Sequence, residues 1–267
     1  MDKKLFRVLL TLLTIFVSAK AQGAAFSFPE LDTTMTDPIF RTLAGGFIFR
    51  SAEPASDLGK KFGLYLGASV SGVDTSAVST IFSGFSSPLL PSGDLQIGVG
   101  FPAGFVLEVG FLPSFNFSGT SIGNYGVGVK WNATRNFLSK LPFSLSGRIG
   151  YSSSSISFAQ QINSVDVTVS YGSTVLTAQA LVSKKLFIFE PYFGLGLANH
   201  SSSLASSGSA SLFGSTFPVG TQNYSASGLF PWIQAGLLLD FVLLGIGAEY
   251  DSVFGLSSYT GKVSLRF

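Results

Sequence analysis

From residue 61 to the last residue, apolar and polar positions alternate in short runs. Phe62, Leu64, Leu66, Ala68 and Val70 fall on one side of an extended chain, and Gly63, Tyr65, Gly67 and Ser69 on the other. A period of two puts successive side chains on opposite faces of a β-strand. The same split recurs at Leu95 to Phe101, Phe105 to Phe111, Tyr125 to Trp131 and Phe143 to Tyr151. It returns at Leu176 to Val182, Phe187 to Leu197, Leu244 to Tyr250 and Tyr259 to Phe267. Trp232 to Leu239 is nearly all apolar, so alternation does not settle its faces. The pattern predicts an all-β chain of about ten strands, within a range of about eight to twelve.

Composition decides what those strands face. Hydrophobic residues make up 46% of the chain and charged residues 11%, with 31 Gly and 27 Phe. A soluble domain usually carries about a quarter charged residues. No run after residue 21 is long and apolar enough for a membrane helix. High hydropathy without such a run fits strands whose apolar side meets lipid and whose other side lines a lumen. A soluble antiparallel sandwich is the alternative fold. The expected connections alternate between short turns and longer ones. Pro102-Ala103-Gly104, Lys184-Lys185 and Asp240-Phe241 mark turns; 113–120, 201–228 and 251–258 read as loops. A Ser-rich stretch follows Tyr151, with Val165, Val167, Val169 and Tyr171 extending a strand pair beyond the bilayer. Long loops on one side and short turns on the other are the habit of membrane barrels, and an even strand number puts both barrel ends on the short-turn side. Phe62, Phe101, Phe105, Trp131, Phe143, Phe187, Phe241 and Phe267 are expected in one aromatic girdle. Phe111, Tyr125, Tyr151, Trp232, Tyr250 and Tyr259 are expected in the other.

The first sixty residues follow different rules. Lys3, Lys4 and Arg7 precede and enter an apolar run ending at Val17, and Ala19-Lys20-Ala21 follows. A charged start, a short apolar core and an Ala-x-Ala site describe a secretory signal peptide, so residues 1–21 are set aside from the fold. Their removal takes four of the 16 basic and one of the 14 acidic residues, leaving a net charge of −1. No basic patch remains to argue for nucleic acid. Cysteine is absent, so there is neither a disulfide framework nor a thiol metal site. Residues 22–60 do not alternate. Asp37 as cap, Pro38 in the first turn and Gly45-Gly46 beyond the end predict a short helix over 38–44. A brief extended piece, Phe47 to Arg50, and a loop at Glu53-Pro54-Ala55-Ser56 follow. This segment is a plug or periplasmic cap, or else a poorly ordered lead-in. The domain layout is then 1–21 signal, 22–60 lead segment and 61–267 barrel.

The last nine residues carry the sharpest resemblance. Tyr259, Val263, Leu265 and Phe267 share one face with Gly261, and Thr260, Lys262, Ser264 and Arg266 share the other. This resembles the closing strand of a Gram-negative outer-membrane β-barrel, in which a terminal Phe after alternating residues is the assembly signal. The resemblance implies a transmembrane antiparallel up-and-down barrel in the cell outer membrane. It implies outer-membrane lipids and the barrel-assembly machinery as partners. The layout is also similar to small outer-membrane barrels that pass hydrophobic molecules. A short helix at Pro38–Gly46 before the Gly-rich stretch Gly63–Ser71 is similar to an uncharacterised proteobacterial outer-membrane family.

Chemistry-bearing residues are few. Glu108, Lys130, Arg148, Glu190, Glu249, Lys262 and Arg266 fall on the lumen side by parity. Glu108 with Lys130, and Glu249 with Lys262, sit on neighbouring strands at similar heights. Charges in a narrow barrel need partners. They form either an ion-pair ladder or a polar transport path. About ten strands are too few for an open aqueous channel. Inward glycines such as Gly98, Gly126 and Gly128 leave room for a slim ligand or the N-terminal segment, or serve curvature alone. His200 and Ser202 share the spacing of outer-membrane enzymes that deacylate lipid A, but no acid lies between His200 and Asp240. Parity also turns His200 to the lumen, away from acyl chains. No cofactor or metal cluster is indicated. Apolar loop residues such as Phe82, Phe85, Leu89, Leu90, Leu212, Phe213 and Phe217 suit a mouth for hydrophobic small molecules. The expected function is passive transport or binding of small apolar solutes, and not an enzyme. A structural barrel with a filled lumen is the alternative, and a lipid-modifying enzyme comes third.

Overall fold

The structure is a computed structural model and describes residues 33–59, 62–79, 88–117, 120–162, 165–212 and 215–267. Helix α1 (Thr33–Phe47) precedes strand β1 (Gly63–Asp74), a short helix α2 (Ser76–Ser79) and β2 (Leu89–Gly100). A helical turn at Pro102–Gly104 leads to β3 (Phe105–Phe117), β4 (Thr120–Asn132) and helix α3 (Ala133–Asn136). Strands β5 (Ser144–Ile162), β6 (Val165–Ser183), β7 (Phe189–Leu212) and β8 (Ser215–Phe241) are the longest. β9 (Leu244–Val253) and β10 (Leu256–Arg266) finish the chain.

Each strand pairs antiparallel with its neighbours in sequence, and β1 pairs with β10 to close a ten-strand barrel. Closure satisfies both edges of the sheet, which lipid requires because hydrocarbon offers the backbone no hydrogen bonds. The last residue takes part in the seal. Phe267 N donates to Leu64 O at 2.8 Å, and Leu64 N donates to Phe267 O at 3.0 Å. Expected faces agree with the barrel. Leu66, Leu95, Ile97, Leu107, Val129, Ile149, Leu195, Ile246 and Val263 are exposed on the outside, whereas Tyr65, Gln96, Glu108, Lys130, Arg148 and Lys262 are buried inside. A continuous apolar exterior of this kind needs lipid or a partner to cover it. Aromatic contacts mark both ends of the belt, Phe105 on Trp131 at one and Tyr250 on Tyr259 at the other.

Three expectations need correction. Residues 201–212 and 215–228 are strand, not loop: β7 and β8 pair from Phe189↔Leu239 to Leu212↔Ser215, with one irregularity at Gly208/Ser209. Beside it the expected extension is present: the Ser-rich stretch after Tyr151 belongs to β5, paired with β6 out to Ile162↔Val165. Serine and glycine have weak strand preference, but a paired neighbour supplies every ladder hydrogen bond and overrides it. β8 has 27 residues, more than twice the ~9–11 that cross a bilayer. The four long strands therefore stand well beyond the membrane at one end. By the rule that long extensions face outward, this is the outer end. Residues 251–258 are mostly strand too, with the turn confined to Phe254-Gly255, and 113–117 continue β3 past a register shift between Leu112 and Phe115.

Trp232 is the second correction. It is not in the outer girdle: it is 2% exposed and points into the lumen, while Ile233 and Leu237 face outward. The third is the helix. It runs Thr33–Phe47 rather than 38–44, with Pro38 inside it and Gly45-Gly46 in its last turn. Phe40, Ala44 and Phe47 are buried against the barrel wall, and that packing carries the helix past its glycines. Of the apolar mouth residues, Phe82, Phe85 and Phe213 lie outside the described residues, while Leu89 and Leu90 belong to β2.

Hydrogen exchange on the refolded protein tests the long strands directly. Amides at 201–207 and 221–227 are expected to be protected like those at 192–198. Exchange at loop-like rates across 201–228 would show that the β7–β8 ladder does not extend past the bilayer.

Candidate functional site

The interior of the barrel is occupied by the chain's own residues 33–59. Phe40 packs with Val169, Tyr171 and Leu204 near the outer end, whereas Ala44 and Ile48 pack lower, with Val175, Ala198, Trp232, Val253 and Phe254. The helix therefore runs from the outer end down into the lumen. Residues 48–57 then descend to the short-turn end, where β1 begins. Phe49 is seated against a glycine column on β3 and β4. A Cβ on Gly110 would sit 2.5 Å from the Phe49 ring, and one on Gly126 would sit 2.4 Å from Phe49 Cβ. At these two positions only a glycine admits the inserted chain.

Below Phe49 the contacts are ionic. Arg50 donates through Nε and Nη2 to the two carboxylate oxygens of Asp251 at 2.8 and 3.3 Å, and both residues are buried. Ser258 Oγ donates to the same carboxylate at 2.6 Å. Glu53 is held by Lys262 Nζ at 2.7 Å and Arg266 Nη2 at 3.0 Å. The segment's backbone carbonyls take the remaining donors. Gln96 Nε2 donates to Arg50 O, Lys262 Nζ to Ser51 O, Arg148 Nη2 to Glu53 O and Lys130 Nζ to Pro54 O. Asn132 Nδ2 and Ser146 Oγ both donate to Ala55 O. At the rim, Arg135 Nη1 holds Asp57 and Gly59 O, each at 2.6 Å. Burial by itself would raise the Glu53 carboxyl, but Lys262, Arg266 and Lys130 together hold it at about 2. It is therefore ionised throughout the physiological range.

The seven lumen residues named from sequence all lie on the inner side of the barrel, with partners other than those expected from neighbouring strands. Glu108 meets Arg148 Nε at 3.2 Å rather than Lys130, and its carboxylate oxygens have no hydrogen-bond partner among the described residues. Lys262 turns to Glu53 and lies over the Tyr65 ring at 3.8 Å, leaving Glu249 to Tyr192 Oη at 2.8 Å and Gln234 Nε2 at 3.3 Å. Glu190 accepts from Ser183 Oγ at 2.7 Å. Tyr259, Val263 and Phe267 of the terminal strand are exposed outside, and Leu265 is half-buried beside them.

Arg50, Glu53 and Asp251 were missed as site residues by sequence reading. They sit in stretches that look like loops, and their only signal was charge in a chain with little of it. His200 lies inside β7, fully buried, with Nδ1 3.2 Å from Ser202 Oγ. Its ring stacks on Phe230 and meets Phe254 edge-on. No carboxylate is hydrogen-bonded to it among the described residues, so it lacks the third member of a hydrolytic triad. No group of metal-binding side chains occurs among the described residues.

A closed even-stranded barrel with an apolar belt and a polar, filled interior is the architecture of the outer membrane, and this chain is an outer-membrane β-barrel. The model of a family of unknown function, DUF6588, matches residues 1–254. No curated protein sequence matches the chain. Among solved structures it is similar to the translocator domain of the autotransporter NalP from Neisseria meningitidis. That match has 10% identity, a TM-score of 0.40, and covers 88% of this chain and 95% of that one. It is similar to Ail, the attachment invasion locus protein of Yersinia pestis, at 14% identity and TM-score 0.33, covering 78% and 100%. The KdgM porin gives 12% identity and TM-score 0.34, covering 76% and 99%.

Glu53→Gln removes the carboxylate that two buried cations share. The expected loss is about 3 kcal/mol in urea unfolding of the lipid-refolded barrel. Lys262→Met should cost a similar amount, and the double variant should cost clearly less than the two together. Strict additivity would show that the pair is not coupled. Because the Glu53 carboxyl is depressed, its contribution is full above the ordinary value of 4.5 and is lost as pH falls through about 2.

Proposed function

The chain belongs to this family of unknown function, and we propose that it is a plugged barrel through which small apolar solutes pass passively. Residues 1–21 act as its export signal, and residues 33–59 act as its plug. The observation that carries the reading is the division of the lumen. Its outer half is mainly apolar, built from α1 and the inner faces of β6 to β9 around a small Ser173–Ser202–His200 cluster, and its lower half is an ionic lattice around residues 50–57. An apolar outer chamber takes up apolar molecules, and a polar lattice below it resists them. Passage then requires the plug to shift. The Arg50–Asp251 pair, placed between the two halves, is the ionic contact that must break for the lower half to open.

A second reading is favoured by the number of buried ionic contacts on the plug: a permanently filled, structural barrel. Arg50, Glu53, Lys130, Arg148 and Lys262 all bond between plug and wall. The two readings differ in what loosening the plug does.

Single-channel recording and liposome swelling separate them. Wild-type barrel is expected to be closed for most of the time. Arg50→Ala/Asp251→Ala together, or deletion of 33–57, is expected to open it and to speed entry of small apolar solutes. A plug-deleted barrel that folds, as judged by its gel shift on heating, yet passes nothing would end the transport reading.

A further inference from the structure

The apolar half of the lumen contains two buried ring nitrogens that nothing satisfies. Trp232 Nε1 and His200 Nε2 both have no hydrogen-bond partner among the described residues. Both side chains are at least 98% buried. They belong to one neighbourhood. Trp232 clusters with Ala44, Ile48, Val175, Val253 and Phe254, and His200 meets that Phe254 at 5.2 Å between centroids. Phe230 completes the wall, stacked on His200 and with the Arg41 guanidinium 4.5 Å from its ring centroid. Gly228 lets the Phe230 ring fold back beside His200, because a Cβ there would lie 2.6 Å from it.

A buried polar atom without a partner costs about 1–3 kcal/mol, so native structures rarely leave two together. The indole N–H is a donor only and calls for an acceptor. His200 Nε2 serves as donor or acceptor according to which way its Nδ1 bond to Ser202 runs. The polar groups near them are engaged elsewhere: Ser202 Oγ lies on the Nδ1 side of His200 with Ser173, and Asp37 is paired with Arg41 at 2.6 Å, so the side of the two free nitrogens is left to hydrocarbon and aromatic rings. We propose that the space under α1 around Trp232 and His200 is a binding site for an apolar molecule bearing an oxygen acceptor, a hydroxyl, carbonyl or carboxylate. The oxygen sits on Trp232 Nε1 with His200 Nε2 beside it, and the apolar body lies along Phe230, Phe254 and Ile48. This rests on the plugged-barrel reading and names the class of solute it holds.

Trp131 and Trp232 are the only tryptophans in the chain, so fluorescence reads the site directly. In a Trp131→Phe variant, emission comes from Trp232. In a Trp232→Phe variant it comes from Trp131, which stacks on Phe105 on the lipid-facing side at the short-turn end and reports partition into the surrounding detergent. Each is titrated with 3-bromo-1-propanol, with 3-bromopropanoate and with 1-bromopropane. The oxygen-bearing probes are expected to quench Trp232 saturably, about tenfold more tightly than the bromoalkane. His200→Phe is expected to remove most of that difference while leaving the bromoalkane curve in place. Trp131 should show only linear quenching. Equal binding of all three probes to Trp232, or linear quenching alone, would overturn the proposal and leave the two nitrogens to water. Saturable binding in a barrel that passes no solute would keep the site and sink only the transport reading.

Discussion

Charge inside a closed barrel has nowhere to go. The wall shuts out bulk water laterally, and cations such as Lys130, Arg148 and Lys262 keep their charge only where acceptors surround them. The strands themselves supply few, because their carbonyls are already used in the ladder. The inserted segment is irregular, and irregular backbone has the opposite deficiency: its carbonyls have no ladder to join. Each deficiency answers the other. The carbonyls of Arg50, Ser51, Glu53, Pro54 and Ala55 accept from side chains of β2, β4, β5 and β10. Four strands of the wall are thus tied to one short stretch. Wall and plug form one hydrogen-bonded object.

Space is arranged to match. The inserted chain passes where the wall has no side chains, along Gly110 and Gly126 beside Phe49. The inward glycines thus decide which part of the lumen is open to backbone and ring, and the inward charges decide which part is wet or paired. In the outer half, apolar packing of Phe40, Ala44 and Ile48 holds the helix instead. The plug is gripped by two different forces at its two ends.

Most of the wall was legible because a strand has a short, rigid period. Leu66 against Tyr65, or Val263 against Lys262, assigns its own face without reference to anything distant. Errors arose where that period was masked. Trp232 sits in a run where Pro231, Ile233, Ala235 and Leu237 are as apolar as most of their neighbours, so Gln234 alone was too weak a polar beat to mark the inside. Ser201 to Gly228 alternates weakly because its outer face meets water, not lipid, and small polar residues look the same on a strand as on a loop. The partners of Glu53, Arg50 and Asp251 were invisible for another reason. They lie about two hundred residues apart along the chain, and the plug has no period that would reveal which carbonyl meets which cation. Only the closed geometry brings them together.

The kind of grip at each end bears on whether the plug can move. Direct ionic and hydrogen-bonded contacts in the lower half are exchangeable for contacts to water, and each such bond to a charged group is worth only about 1.5–3 kcal/mol net once water can replace it. Displacing residues 50–57 downward would admit water from the short-turn side, and Lys130, Arg148, Lys262 and Arg266 would then be solvated rather than stranded. The apolar grip on α1 has no such substitute, since water does not replace the packing of Phe40 or Ile48. A molecule with an apolar body does. An apolar solute entering under α1 would therefore weaken the one part of the grip that water cannot, and the ionic lattice below would yield to hydration. On the proposed transport reading, the order of opening would follow from that chemistry: the solute would loosen the helix, and water would then loosen the lattice.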